Sequence, residues 1–414
     1  MNTVKMLQTI LIITIIVFIY AAIEFYGWQA IKTAINPTNV KTTKWIYWGV
    51  SMFLLATFLS YRPFHRYLPK IVYVTFGVLF LIFLLAKIIM LLFLLPEDIV
   101  RLGRWIVAKL SSGPPSTGIT RSQFLSRLAV VAAAVPAGAL VYGVVANAYN
   151  YTFRKITIKF PNLPEAFNGY RIIQLSDIHS GSFNRTEPLI EAVAKINALN
   201  ADLILFTGDL VNDRADEMEP YMHVFDKLKA KHGVISTTGN HDYGDYSEWD
   251  SKEEKKANFE RFKGVHKQLG WNLLMNENVI LEQGGEKIAI IGIENWGKGE
   301  HWPKYGKIDQ AYIGTENIPF KLLMSHDPSH WDAQVRPHYP DIDLTLAGHT
   351  HGFQFGIESK WLKWSPSQYM YKQWAGLYQE GKQYIYVNRG FGFLGYPGRV
   401  GILPEVTEIT LVRG

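Results

Sequence analysis

Two kinds of hydrophobic pattern divide this chain near residue 150. Before it, apolar residues run on for whole helix lengths; after it they come in short runs closed by turn residues. Four long stretches lie in the first part, at 6–23, 45–60, 71–95 and 128–146. The first has only Gln8, Thr9 and Thr14 as polar interruptions, and its length suits a bilayer crossing. The second is shorter, flanked by Lys44 and Arg62, with Trp45, Tyr47 and Trp48 near one edge, as interfacial residues would be. The third holds a single Lys87, a long side chain that either snorkels or faces a neighbouring helix. The fourth is rich in Ala, Val and Gly and contains Pro136, which kinks a membrane helix rather than ending it. About four transmembrane helices are therefore expected within residues 1–150. The first should be a retained anchor, since it lacks a small-residue cleavage site and further spans follow.

The pattern after residue 150 predicts a different fold. Alternation of Phe153, Ile156 and Ile158 over 151–159 reads as a strand leaving the membrane region. Apolar runs at 171–176, 203–207, 234–238, 320–324 and 342–347 each end in a turn, and helical spacing appears at 186–199, 219–232 and 248–269. Short strands follow at 272–274, 278–283 and 287–293, the last two joined by the hairpin signal Gly284-Gly285. Strands at 383–388 and 405–412 are expected to complete a second sheet. Residues 151–414 thus predict an α/β domain, an α/β/β/α sandwich of two mixed sheets flanked by helices.

The chain's 414 residues carry a net charge of +6, and the mean hydropathy of +0.01 averages two unlike halves. Cysteine is absent, which removes disulfides, thiolate ligands and cysteine nucleophiles. The basic residues are spread through loops and form no stripe, so no nucleic-acid-binding module is read, nor any protein partner. They do suggest an orientation. Lys32, Lys41 and Lys44 in the first loop, with Arg101, Arg104, Lys109, Arg121 and Arg127 in the third, outnumber Lys5, Arg62, Arg66 and Lys70 on the other face. Retention of positive charge on the cytoplasmic side then places both termini and the second domain outside the cytoplasm.

Metal-ligating residue types gather at the ends of the apolar runs. They are Asp177 and His179, Asp209 behind Gly208, Asn240 and His241 behind Gly239, His326 behind Ser325, and His349 and His351 around Thr350. Loops at the carboxyl ends of strands are where open α/β sheets place their sites. Asp, Asn and imidazole suit Mn, Fe, Zn or Mg rather than Cu(I). A lone buried His is more often a satisfied core residue than a ligand, and His301, His330 and His338, away from these segments, are read as ordinary polar residues. Five segments together supply ligands for two ions. A dinuclear site needs a carboxylate able to bridge, and Asp209, alone after its run, is the candidate.

The order DxH, GD, GNHD, SH, GHTH resembles the calcineurin-like metallophosphoesterase superfamily, from about Arg171 to the C-terminus. The closing segment Asn388-Arg389-Gly390-Phe391-Gly392, with Pro404-Glu405, is similar to its membrane-attached bacterial branch. The resemblance implies two divalent ions, manganese first, with iron, zinc or magnesium as alternatives. Asp177, His179 and His351 would hold one and Asn240, His326 and His349 the other, with Asp209 shared. His241 would be an unligated catalytic group over the phosphoryl oxygen, and Asp242 would orient its imidazole. Asn212 departs from the pattern, standing where many relatives have an acid. The expected function is hydrolysis of a phosphoester or pyrophosphate in a phosphorylated small molecule, lipid or cell-envelope precursor, at a bacterial inner membrane. A non-catalytic scaffold or sensor with a vestigial metal site, and a transporter, stay open as alternatives. One further segment, 353–374, sets Trp361, Trp364, Tyr369, Tyr371 and Trp374 among Lys360, Lys363 and Lys372. It is either a loop packed on the domain or a patch in the headgroup layer.

Overall fold

The computed structural model describes residues 3–64, 70–110, 122–299 and 304–414. The chain divides into two compact units, Met1–Tyr142 and Gly143–Gly414. Arg66, Arg121 and His301 lie outside the described residues.

Among the described residues the first unit has four α-helices, α1 (Thr3–Ala34), α2 (Val40–Phe64), α3 (Lys70–Leu110) and α4 (Gln123–Tyr142). Three helical stretches among the described residues are long and apolar enough to cross a membrane: Lys5–Ala34, Val72–Leu110 and Gln123–Asn147. The stretch at 45–60 is helical too, but Thr, Ser and Gly dilute its aromatics and it does not reach that hydropathy. Small residues make the close contacts, with Ala30, Ala129 and Ala133 packed against Met90 and Leu94. Lys87 does not snorkel. Its Nζ lies 2.6 Å from Glu24 Oε1 and 2.7 Å from Ser51 Oγ, and the Tyr47 hydroxyl donates to the Glu24 carboxylate at 3.0 Å. Glu24 stands one residue beyond the apolar stretch 6–23 but well inside α1, which is why Lys87 alone stood out in the sequence.

The second unit contains two six-stranded mixed sheets. The first runs β1 (Thr152–Phe160), β14 (Glu405–Arg413), β2 (Tyr170–Leu175), β3 (Leu203–Phe206), β4 (Val234–Ser236), β5 (Asn272–Leu273). The second runs β12 (Gly376–Glu380), β13 (Gln383–Val387), β9 (Leu344–Ala347), β8 (Lys321–Met324), β7 (Glu286–Gly292), β6 (Glu277–Gln283). A two-stranded ribbon, β10 (Ile357–Glu358) with β11 (Lys363–Trp364), stands apart from both.

Alternating side chains of the sheets build three apolar layers. Ile172, Leu203, Leu205 and Ile235 meet Ile290, Leu322, Met324 and Leu346 between the sheets. Ile173, Ile204 and Phe206 face α5 (Glu187–Ala198) and α7 (Lys252–Gln268) on one outer side. Ile291 and Leu323 face α8 (Ile308–Tyr312) and the segment leading to α9 (Arg336–His338) on the other. These layers are the expected α/β/β/α sandwich. Ser251 caps α7, its side chain accepting the Glu254 N–H, while the Lys and Glu side chains of the helix face solvent.

Two expectations are corrected. Residues 405–412 do not complete the second sheet; β14 inserts into the first, parallel to β1 from Thr152↔Glu405 to Phe160↔Arg413 and antiparallel to β2. Alternation of Glu and Thr with apolar residues disguised a strand buried on both faces, whose Glu405 is neutralised by Arg389 at 2.5 Å. Nor is 219–232 a helix throughout. A 3₁₀ segment containing Pro220 leads to the four-residue α6 (Met222–Phe225) and then turns. Of the apolar positions at that spacing, Tyr221, Phe225 and Leu228 are buried and Met222 is half-buried, without a continuous helix.

A candidate dinuclear metal centre

The ligand candidates sit where β2, β3, β4, β8 and β9 end, so strand geometry delivers five loops from two sheets to one place. The loops are sharply bent. Among the described residues, the non-glycine positions with positive φ include Asp177 (52°), His179 (47°), Asp209 (59°), His349 (70°) and His351 (50°). Such conformations cost about 1–3 kcal/mol each and persist where the surroundings over-determine them. Gly348 must lack a side chain, since a Cβ there would collide with Ser176 Oγ and the Asp177 carboxylate.

The donor atoms form two groups, each within 4.8 Å: Asp177, His179 and His351, and Asp209, His326 and His349. In the first, His351 Nε2 lies 3.0 Å from His179 Nε2 and 3.2 Å from Asp177 Oδ1. In the second, His326 Nε2 is 3.1 Å from Asp209 Oδ2, and Asn240 Oδ1 is 2.8 Å from His349 Nδ1. Asp209 Oδ2 also reaches His179 Nε2 at 3.5 Å, so this carboxylate stands between the groups.

The electrostatics fit a cation. Burial alone would raise the Asp177 carboxyl, but the imidazoles of His351 and His326 reverse this and hold it below the usual carboxylate range. Asp209 is held well below its ordinary value against the same burial, through His326 and His241. His326 is pushed up to about 10, the Asp209 and Asp177 charges overcoming its burial. Burial lowers His179 and His349. Two anionic carboxylates that force a proton onto a buried imidazole, while other ring nitrogens face each other at 3.0 Å, form a site short of positive charge. Divalent ions of the harder kind suit these donors.

Residues 170–353 match the family model described as "Calcineurin-like phosphoesterase", and residues 8–148 match "Probable Calcineurin-like phosphoesterase, transmembrane domain". The Bacillus subtilis protein YkuE, an uncharacterized metallophosphoesterase, is 30% identical over 313 residues, spanning 71% of this chain and 98% of its own length. The chain is a calcineurin-like metallophosphoesterase. A Danio rerio transmembrane protein with metallophosphoesterase domain is 29% identical over 294 residues, 69% of this chain and 63% of that protein. An uncharacterized Helicobacter pylori (strain J99) metallophosphoesterase is 28% identical over 243 residues, 58% of this chain and 60% of that protein. The phosphoesterase is a metal-dependent hydrolase and an integral membrane protein.

Around its centre, the phosphoesterase uses groups that the motif order did not reveal. His241 Nδ1 lies 2.8 Å from the carbonyl oxygen of Asn212; a carbonyl only accepts, so Nδ1 carries the proton. Asn212 therefore acts through its backbone, and its side chain bonds Ser182. The ring of Tyr246 lies 4.6 Å from that of His241, and its hydroxyl accepts from Asn240 Nδ2 at 3.0 Å. The Tyr371 hydroxyl meets His349 Nε2 at 2.7 Å, the kind of partner that fixes a ligating imidazole. Tyr246 has no sequence signal beyond being aromatic, whereas Tyr371 belongs to the aromatic segment 353–374. His330 is a buried structural residue between Ser325 Oγ and Gln334.

Asp242 does not orient the His241 ring. Its carboxylate is fully buried and accepts backbone N–H groups from Gly239 at 2.7 Å, Leu210 at 2.8 Å and Asp209 at 2.9 Å. The 3₁₀ turn His241–Tyr243 directs it beneath the loops. Burial, then the Asp209 charge, raises its carboxyl to about 8.

Proposed function

We propose that the phosphoesterase uses two divalent ions to hydrolyse a phosphoester or pyrophosphate bond in a lipid or cell-envelope precursor, on the extracytoplasmic face of a bacterial inner membrane. Asp209 carries this assignment: one carboxylate oxygen stands 3.5 Å from His179 and 3.1 Å from His326, as a shared ligand requires. Asp177, His179 and His351 would hold one ion, and Asn240, His326 and His349 the other. Bound ions, manganese first, supply Lewis-acid charge that activates water and stabilises phosphate oxygens. The remaining work falls to side chains. His241 is half-buried, and its Nδ1–H is committed to Asn212. That leaves Nε2 for the substrate, to hydrogen-bond a phosphoryl oxygen or protonate the leaving group. Asp242 holds the loops of Asp209 and Asn240 in register. The membrane unit in the same chain supports a lipid-borne substrate, and the basic bias of loops one and three supports the orientation.

Full-length protein supplied with Mn²⁺ should hydrolyse a generic phosphodiester and lose that activity to a chelator. No turnover by protein carrying two ions per chain would overturn the assignment. Lipid extracts from cells with and without the protein, compared by mass spectrometry, should show a phosphorylated lipid that accumulates in its absence. Protease added to intact spheroplasts should cut the second unit; cleavage only after lysis would place it in the cytoplasm.

A further inference from the structure

The aromatic stretch 353–374 splits into a locked root and an exposed tip. Trp374 is no surface residue, packing with Ala375 and Ile402 in a small core. Phe353, Ile357, Trp361, Leu362, Tyr369 and Met370 are exposed, Trp361 by 94% and Tyr369 by 77%. So many large apolar side chains within eighteen residues form a patch that a water-facing surface rarely leaves uncovered. The exposed Lys360 and Lys372 border it. The root is polar by contrast. Glu358 of β10 accepts from Arg154 of β1 and from Arg389, both at 2.6 Å. Ser365 Oγ donates to the Gly352 carbonyl at 2.7 Å, and the Tyr371 hydroxyl meets His349. The segment that carries the tip therefore touches the metal centre.

The tip's root is bonded to the end of the last candidate membrane span. The stretch Gln123–Asn147 closes with Gly143–Asn147, which belongs to the second unit. Arg399 N donates to the Gly143 carbonyl at 3.1 Å, Val400 N to Gln354 at 2.8 Å, and Gly356 N to Val400 at 2.9 Å. Loop 396–401 thus ties the exit of the membrane span to the residue that precedes β10. The exposed tip is therefore carried by a segment bonded to the residues that follow directly on the last candidate membrane span.

We infer that the ribbon 357–364 and the turn 366–370 seat in the headgroup layer of the bilayer. Trp361, Leu362, Tyr369 and Met370 enter the acyl boundary, and Lys360 pairs with a lipid phosphate, while Lys372 is held by Glu380 at 3.2 Å. The purpose of this seat rests on the proposed phosphohydrolase reading: through Tyr371 the seated segment forms a wall of the centre, so a lipid headgroup reaches His349 without leaving its layer.

The chain has no cysteine, so one introduced thiol takes a label alone. Leu362→Cys and Tyr369→Cys, each carrying a nitrobenzoxadiazole fluorophore, are compared with Ile313→Cys, a 68% exposed site after α8. The full-length proteins are reconstituted in vesicles of phosphatidylethanolamine and phosphatidylglycerol. Nitroxide on the lipid acyl chains should quench the labels at 362 and 369 several-fold more than at 313, and aqueous iodide should do the reverse. Equal lipid quenching at the three positions overturns the proposal. Labels at 362 and 369 shielded from both quenchers also overturn it, in favour of a protein partner. Quenching is read without turnover, so lipid-quenched tips on an inactive protein would refute the hydrolase reading and leave the seat standing.

Discussion

The Asp242 carboxylate accepts the backbone N–H of Asp209 at 2.9 Å, so one carboxylate positions the other through the main chain. With Leu210 and Gly239 as further donors, it joins the loops after β3 and β4 from below. Asp242→Ala leaves buried donors unpaired, each worth about 1–3 kcal/mol. The expected outcome is a lower unfolding midpoint together with loss of bound metal, read by thermal melting and plasma emission. A loss of kcat alone, with metal and stability intact, would return Asp242 to the role of orienting His241.

Asp209 and His241 should separate cleanly. Asp209→Asn removes the ligand proposed to be shared, so occupancy of both ions should fall; two ions per chain in that variant would remove its bridging role. His241→Ala should keep its metal and lower kcat by roughly 10²–10⁴, the range of a positioned acid–base group. Metal analysis beside steady-state kinetics distinguishes the two, and loss of metal from His241→Ala would make it a ligand.

Lys87 and Glu24 form a buried ion pair in the membrane unit. Removing one partner leaves a charge without compensation, which costs about 3–5 kcal/mol in buried sites. Lys87→Met should therefore destabilise the unit sharply, measured by unfolding in mixed micelles, whereas the double replacement Lys87→Met with Glu24→Gln should recover most of the loss. Equal destabilisation by single and double variants would show that the pair contributes through packing alone.

His266 gives a pH dependence away from the metal centre. It is fully buried against Ser236 Oγ at 2.9 Å, and burial lowers its pKa to about 3. Above the unfolded value of about 6.5 it is neutral in both states and contributes no slope. Below that, the unfolded chain takes up a proton that the folded chain refuses, so stability falls with pH by up to ~1.4 kcal/mol per unit. Between pH 6.5 and 5, above the carboxylate range, His266→Gln should lose less stability than the parent in denaturant titrations. Parallel curves would mean that His266 is protonated in the folded state.

The loops of the candidate ligands were legible because strands have a simple pattern and every candidate follows one. Asp177, His179, Asp209, Asn240, His326, His349 and His351 all arrive together. The direction of a side chain was not legible: Asp242 adjoins His241 in sequence, yet the turn sends it under the loops. The contact of Tyr371 with His349 was hidden for a related reason, since a tyrosine twenty-two residues away has no spacing rule that brings it back. Alternation announced β14 as a strand but could not name its neighbours, which depend on which faces are buried. Glu24 escaped because an apolar window ends at its first charge, whereas a helix does not.

The insertion of β14 between β1 and β2 has a kinetic consequence. β1 follows directly on the membrane region, and β2 is made soon after, but each borders β14 instead of the other. Their partner lies about 250 residues downstream of β1, so closing the sheet waits for nearly the whole second unit and bears the entropy of a long loop. During synthesis β1 waits with its edge open, a template for any other extended segment. This is the interval in which the chain most needs protection, and damage to β14 would prolong it while leaving every candidate metal ligand untouched.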